Sequence, residues 1–344
     1  MNIRQSRRGF LALSAATLGM AATPLRAQSQ QVIKIAYNLP SHHATGTYFE
    51  TLAAEISERT METSVQLVPQ TFPDGQLYND TQLPDAISTG AAHIGQINLG
   101  FMAGRDAEVI RVWSMPFLYQ TWEAEWAAED SPAMTGAFTE TLARYDQQML
   151  SWLAYGTVEI YSNSPVNMPA DMQGLKMRSF GLDATELLRN LGASPVTMSS
   201  QEVYQAMQRG TIDGLLTGPS SVLGRKLFEV SKYGTNAAMI RLPFVASASK
   251  MWWDGLPEDT RAAVHDAAMI AMKASRDQAK ADSLVEEQSL RDKGMTITSF
   301  TPEQRVAWEE AASGLLEDYK AKNGEVGTRI LEAVAAANAA YPAA

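Results

Sequence analysis

Between Pro165 and Pro219 the chain alternates strand, turn, helix, strand, helix and strand, and few folds accept that rhythm. Leu175-Lys176-Met177-Arg178 reads as a short apolar strand, and Pro195-Val196-Thr197-Met198 as a second. Thr211-Ile212-Asp213-Gly214-Leu215-Leu216 reads as a third, with helical patterns over residues 183–191 and 200–209 between them. Strands separated by single helices at this spacing predict an α/β fold with parallel strands and helices on both faces. Ligands of such sheets lie at the carboxyl ends of the strands. Arg178 stands at one of those ends, where a planar, permanently charged fork can hold a carboxylate through two parallel hydrogen bonds. A surface arginine in an ordinary ion pair is the blander reading. The loop Thr217-Gly218-Pro219-Ser220-Ser221 opens at an equivalent strand end.

The first half of the chain repeats the pattern. Val32-Ile33-Lys34-Ile35-Ala36-Tyr37 is a β-branched strand running into Pro40-Ser41-His42-His43 and a helix over residues 45–61. Val65-Gln66-Leu67-Val68 precedes the turn Phe72-Pro73-Asp74-Gly75-Gln76-Leu77, and His93-Ile94-Gly95-Gln96-Ile97-Asn98 is the next strand. The strand-end rule marks Tyr37, His42, Gln76 and Asn98. Further expectations are a strand over 109–112, one helix over 122–147, and two strands at 149–154 and 158–161 separated by Gly156. Residues 258–293 contain no Gly or Pro and read as one helix of roughly 50 Å, long enough to lie across two domains.

Composition narrows the chemistry mainly by exclusion. The 344 residues are 45% apolar and 19% charged, as in a globular protein of about two domains. There is no cysteine, which excludes disulfides, thiol catalysis and thiolate metal sites. The four histidines are scattered without metal-ligand spacing, and neither a phosphate loop nor a Gly-x-Ser-x-Gly elbow occurs. Asp74, Asp80, Asp85 and Glu159 could converge as paired carboxylates, but nothing selects a pair. Aromatic residues near predicted strand ends, among them Tyr155, Phe180 and Trp252, are candidates for a cleft wall.

Ser6-Arg7-Arg8-Gly9-Phe10-Leu11 matches a twin-arginine export signal, with an apolar stretch to Ala22 and cleavage expected after Ala27. Removing residues 1–27 takes away four arginines and no acidic residue, moving the formal charge from −10 to −14. Such acidity argues against nucleic acid as a partner. No later stretch is long enough to span a membrane.

The segment SPVNMPADMQGLKMRSFGLDATELLRNLGASPVTMSSQEVYQAMQRGTIDGLLTGP resembles the solute-binding proteins of tripartite ATP-independent periplasmic (TRAP) transporters, the DctP-like family. FPDGQLYNDTQLPDAISTGAAHIGQIN, SMPFLYQTWEAEW and WWDGLPEDTRAAV carry the resemblance through the rest of the chain in order. It implies a two-lobed periplasmic binding protein-like fold with hinge strands and a long helix spanning both lobes. Residues 28–155 would form lobe 1, residues 156–247 lobe 2, and residues 248–344 the bracing and C-terminal helices. The arginine of the GLKMR motif, Arg178, would pair with the carboxylate of a small organic acid, and the closed complex would be delivered to the TRAP membrane permease subunits.

Two departures bear on the ligand. A second pocket arginine found in many members is replaced in Gly156-Thr157-Val158-Glu159, and a pocket aromatic before Glu-Val-Tyr is replaced by Ser200. One cationic clamp favours a monocarboxylate. The candidate ligand-binding set is Arg178 with Asn98, Gln76, Tyr37, His42, Tyr155, Ser200, Thr217 and Trp252. No cofactor and no catalysis are expected, and a metal ion bridging ligand and protein stays open. The alternatives are an exported enzyme acting on a small organic acid and the binding component of an ATP-driven importer.

Overall fold

The computed structural model describes residues 29–102 and 108–343; the twin-arginine segment lies outside the described residues. In chain order, β1 (Ser29–Ala36), α1 (Ala44–Arg59), β2 (Val65–Phe72), α2 (Leu83–Ser88) and β3 (Ile94–Ile97) come first. Then follow α3 (Trp122–Glu129), α4 (Pro132–Ala143), β4 (Gln147–Ser162), β5 (Lys176–Ser179), α5 (Leu182–Asn190), β6 (Ser194–Thr197), α6 (Val203–Gln208) and β7 (Gly214–Thr217). The chain continues through α7 (Pro219–Gly224), β8 (Tyr233–Asn236), β9 (Ile240–Ser249), α8 (Lys250–Asp254), α9 (Glu258–Ser283), α10 (Glu286–Asp292), β10 (Thr296–Ser299) and α11 (Pro302–Ala340).

Two parallel wings meet at a pair of antiparallel strands. The order is β2-β1-β3-β9-β4-β7-β5-β6, with β8 joined to β4 and to β10. Within the first wing β1 runs parallel to β2 and β3, and within the second β5 runs parallel to β6 and β7. Strand β9 is antiparallel to β3 and β4, and β4 is antiparallel to β7, so both strands pass through the two lobes.

The expected break at Gly156 is instead a bulge inside one continuous strand. The register of β4 against β9 shifts between Ala154 and Gly156, and Gly156 takes φ 132°. Ser275 of α9 donates to the Ala154 carbonyl and accepts from its amide, at 3.4 and 3.1 Å, satisfying backbone groups the bulge disturbs.

Three expectations of secondary structure, one strand and two helices, are corrected. Residues 109–112 lie in a 3₁₀ segment, Glu108–Ser114, where Arg111 is almost completely buried in an ion-pair network rather than a sheet. The helix expected over 122–147 divides at Ser131, whose side chain caps α4 ahead of Pro132. The helix expected over 258–293 stops at Ser283, and α10 turns away so that Leu290 enters a second apolar cluster with Leu215, Val222 and Ile297.

The bracing role passes to α11, which is 39 residues long and kinked at Gly324. Its Trp308 donates to Asn167 O at 3.0 Å, Tyr319 to Val109 O at 2.9 Å and Asn338 to Leu118 O at 2.9 Å, and it packs on α3, α4 and α5. Helix α9 lies instead along α1 and β4, burying Val264, Ala267, Ala268 and Ala271. Its small side chains bring the helices close.

Candidate ligand site between the lobes

Between the wings is a narrow cavity lined by residues that follow the carboxyl ends of parallel strands. Asn38 follows β1, Asn98 follows β3, Phe180 follows β5, and Ser200 follows β6. Arg178 is the next-to-last residue of β5 and Thr217 the last of β7. Tyr155 and Val158 of β4 with Leu242 and Phe244 of β9 supply an apolar wall.

Arg178 owes its pose to the middle position of β5. Its Nε donates to Met198 O beyond β6 and its Nη1 to Leu216 O in β7, each at 3.2 Å. The guanidinium is thereby clamped by both neighbouring strands, and its plane lies near Phe180, 5.9 Å from the ring centroid. Its Nη2 is 4.0 Å from Asp80 Oδ2, too long for a hydrogen bond but close enough for charge attraction. Burial lowers the guanidinium pKa, and the charges of Asp80 and Tyr155 oppose that shift. An arginine stays cationic under such a shift. Among the described residues that line the cavity it is the one cation, and the position after Gly156-Thr157 is held by the apolar Val158.

Tyr155 is held rather than free. Its hydroxyl is 3.1 Å from Thr217 Oγ1 and 2.8 Å from Ser221 Oγ, and it accepts from Gly218 N at 2.9 Å. A Cβ on Gly218 would lie 2.8 Å from Thr157 O and 3.0 Å from the Tyr155 hydroxyl, so only glycine fits this approach. The ring packs on His43 and Phe244, with centroids 5.5 and 4.9 Å away.

The cavity brings together Arg178, Asn98, Tyr155, Ser200 and Thr217 from the candidate set. The other four lie outside its lining. Tyr37 is fully buried, stacked on Phe49 and donating to Glu50 Oε1 at 2.5 Å, so its hydroxyl is consumed in the core. Gln76 and His42 are exposed because the loops carrying them turn outward. Trp252 sits in α8 with His93 at its edge, 5.6 Å between centroids. Of the four carboxylates weighed for paired chemistry, Asp80 alone lines the cavity; Glu159 accepts from Ala237 N and Ala238 N at 3.0 and 2.9 Å elsewhere.

Two residues not singled out matter most. His43, rather than His42, faces inward: its Nδ1 accepts from Thr45 N at 3.0 Å as the α1 N-cap, which leaves the proton on Nε2, 2.9 Å from Ser220 Oγ across the cleft. Asn38 donates from Nδ2 to Ser200 Oγ at 3.0 Å, and its carbonyl accepts from Arg225. These contacts, with Ser200 N donating to Asp80 Oδ2 at 3.2 Å, hold the lobes closed. Among the described residues no group of three His, Asp or Glu side chains is placed to hold a metal ion. No described helix is long and apolar enough to cross a membrane.

Comparison with known proteins fits this geometry. The profile of bacterial extracellular solute-binding protein, family 7 (DctP), matches residues 35–323. A C4-dicarboxylate-binding periplasmic protein DctP of Rhodobacter capsulatus is 29% identical over 85% of this chain and 85% of its own length. A TRAP periplasmic solute-binding protein of Shewanella oneidensis with bound succinate superposes with TM-score 0.83 at 22% identity, covering 90% of this chain and all of its own. The sugar acid binding protein DctPAm of Advenella mimigardefordensis, in complex with galactonate, gives TM-score 0.84 at 24% identity, covering 90% and 99%.

Proposed function

The chain belongs to the DctP family of TRAP extracytoplasmic solute-binding proteins, and from that premise we propose that its cavity captures a small organic monocarboxylate through Arg178. Proteins of this family are non-enzymatic periplasmic transport components, and the chain is one of them. The observation that carries the ligand reading is the Arg178 guanidinium, oriented by Met198 O and Leu216 O in the lining of the cavity between the lobes. Oriented, desolvated donors bind a carboxylate more strongly than donors in water.

The Rhodobacter relative is named for C4-dicarboxylates, which ask for a cation at each end. A single lining cation beside Val158 supports one carboxylate end here, with Asn98, Ser200, Tyr155 and Thr217 facing the remainder. Ligand contacts to both lobes would favour the closed state, in which residues 28–155 and 156–247 approach about the bulge at Gly156 and residues 248–344 brace both. The closed complex would then be handed to the TRAP membrane subunits. Export would use the twin-arginine signal in residues 1–27; replacing Arg7 and Arg8 by Lys should then retain the protein in the cytoplasm.

Calorimetry with a panel of three- to six-carbon acids tests the ligand reading. Arg178→Ala should weaken every binding acid at least 100-fold. Undiminished affinity in that variant would sink the assignment.

A further inference from the structure

The strands that wall the cleft carry a second cavity on their other face. Side chains alternate along β4 and β9, so Val158 and Leu242 line the cleft while Thr157, Glu159 and Arg241 line a separate space of about 200 Å³. Trp122 at the start of α3 and Glu286 and Glu287 at the start of α10 bound it. None of the candidate residues for the cleft ligand reaches it.

Arg241 is the unusual member of this lining. The largely buried Arg111, Arg178, Arg225 and Arg276 each donate to a carboxylate or a carbonyl. Arg241 makes no hydrogen bond or ion pair among the described residues; its Nε and Nη1 are buried without a partner, and its guanidinium lies over the Trp122 ring, 4.9 Å from the centroid. Burial lowers its pKa, and Glu125, Glu159 and Glu123 oppose that shift through charge alone. Buried donors without acceptors are costly and rare in native structures.

The acids of the cavity are unequal. Glu159 accepts from Ala237 N, Ala238 N and Thr235 Oγ1, and Glu287 from Asn236 and Arg291. The Glu286 side chain accepts from nothing among the described residues, and burial, then the charge of Asp282, pushes its carboxyl up to about 8. No ion pair joins it to Arg241. A lone anion in this space would meet Glu159 and Glu287, and a lone cation would meet Arg241. A molecule that carries one charge of each sign matches both unpaired groups. We propose that this cavity is a second binding site, for a small amino acid whose carboxylate pairs with Arg241 and whose ammonium pairs with Glu286. The site stands independently of what the cleft binds. An ammonium beside Glu286 draws its carboxyl pKa down, so binding at pH 7 releases a proton.

The test titrates glycine, β-alanine and 4-aminobutyrate, with acetate and methylammonium as single-charge controls, into wild type, Arg178→Ala, Glu286→Gln and Arg241→Gln. Calorimetry at pH 7 in two buffers of different ionisation enthalpy reads affinity and proton release together. At least one amino acid should bind wild type and Arg178→Ala equally, about tenfold or more tighter than either control, with proton release. Glu286→Gln, close to isosteric, should weaken it about tenfold or more and abolish the proton release, and Arg241→Gln should weaken it as much. Wild type that binds none of the three amino acids, or binds a control as tightly, overturns the inference without any variant. Unchanged affinity or unchanged proton release in a folded Glu286→Gln protein overturns it too. Binding lost in a folded Arg178→Ala protein places the amino acid in the cleft, so the second site falls while capture by Arg178 stands.

Discussion

His43 Nε2 donates to Ser220 Oγ at 2.9 Å, tying the N-cap of α1 to the first turn of α7 across the cleft. The ring is buried, and burial first, then the charges of Arg225 and His42, lowers its pKa to about 3. Tyr155 packs on its face. In the closed protein His43 is therefore neutral, whereas a cleft that opens lets it return toward its ordinary value near 6.5. A group whose folded pKa is depressed in this way leaves the unfolded or opened form binding more protons between the two values. Stability of the closed state thus falls as pH drops from about 6.5 toward 3 and is level above that window.

The same linkage predicts ligand affinity. Between pH 7.5 and pH 5.5 the affinity should fall by about tenfold, one unit below the ordinary histidine pKa. His43→Asn keeps an N-cap acceptor for Thr45 N and removes the titration, so its affinity should change far less across that interval. Calorimetry at the two pH values with an acid whose own pKa lies below 5 checks both statements. An equal pH slope in wild type and variant contradicts the role of His43.

Arg178→Lys isolates geometry from charge. A lysine keeps one positive charge but cannot donate to Met198 O and Leu216 O and still present two parallel donors to a carboxylate. Affinity for a bound acid should fall roughly 10- to 100-fold, less than in Arg178→Ala, at a cost of about 1.4 kcal/mol per decade. Equal losses in the two variants would mean that the fork geometry is everything and the charge nothing.

Arg178 was legible because the short strand Leu175-Lys176-Met177 puts it at a strand end, and the parallel topology then follows from the helix between each pair of strands. What the sequence hid depends on single dihedrals and loop directions. His42 and His43 are neighbours, and the extended conformation of His43, φ −73° and ψ 153°, turns it inward while His42 faces water. Tyr37 sits at the end of its strand, yet its hydroxyl is taken by Glu50 one helix away. Asp80 reaches the cavity only because the loop after β2 folds over the cleft to meet Ser200, a contact between residues 120 positions apart. Gly156 looked like a stop because glycine is the usual interrupter of strands; its positive φ instead lets one strand bend and cross both lobes.

Arg111 organises a buried ion-pair network. Its Nε contacts Asp183 Oδ1 at 2.5 Å, its Nη2 contacts Glu186 at 2.5 Å and its Nη1 contacts Glu108 at 2.9 Å, with both Arg111 and Asp183 side chains 2% exposed. Replacing Arg111 with Met fills the space but leaves Asp183 buried beside only Ser114, and should cost about 3–5 kcal/mol near pH 8. Burial already pushes the Asp183 carboxyl up to about 6 against the pull of Arg111. A raised carboxyl pKa favours the folded state below the ordinary value and loses that contribution as pH rises through the folded one. The deficit of Arg111→Met should therefore shrink toward pH 5 and be largely recovered by adding Asp183→Asn. Urea denaturation at pH 5 and pH 8 measures both, and a deficit independent of pH contradicts the account.

Gly181 packs its backbone directly against that of Gly100. It takes φ 155°, and a Cβ there would lie 2.5 Å from Gly100 Cα and 2.7 Å from both Gly100 C and O. The neighbour is backbone and cannot swing aside, so alanine must push apart the turn after Asn98 and the junction of β5 with α5. Overpacking of this kind costs about 1–3 kcal/mol. Because Phe180 and Arg178 lie immediately before that junction, and Asn98 immediately before the facing turn, the same displacement enlarges the cavity. Gly181→Ala should lower the melting temperature and also weaken ligand binding, although its side chain touches no ligand. A variant of lowered melting temperature with unchanged affinity would show that the cavity wall tolerates the shift, and a variant unchanged in both would show that the two backbones are less tightly opposed than their spacing requires.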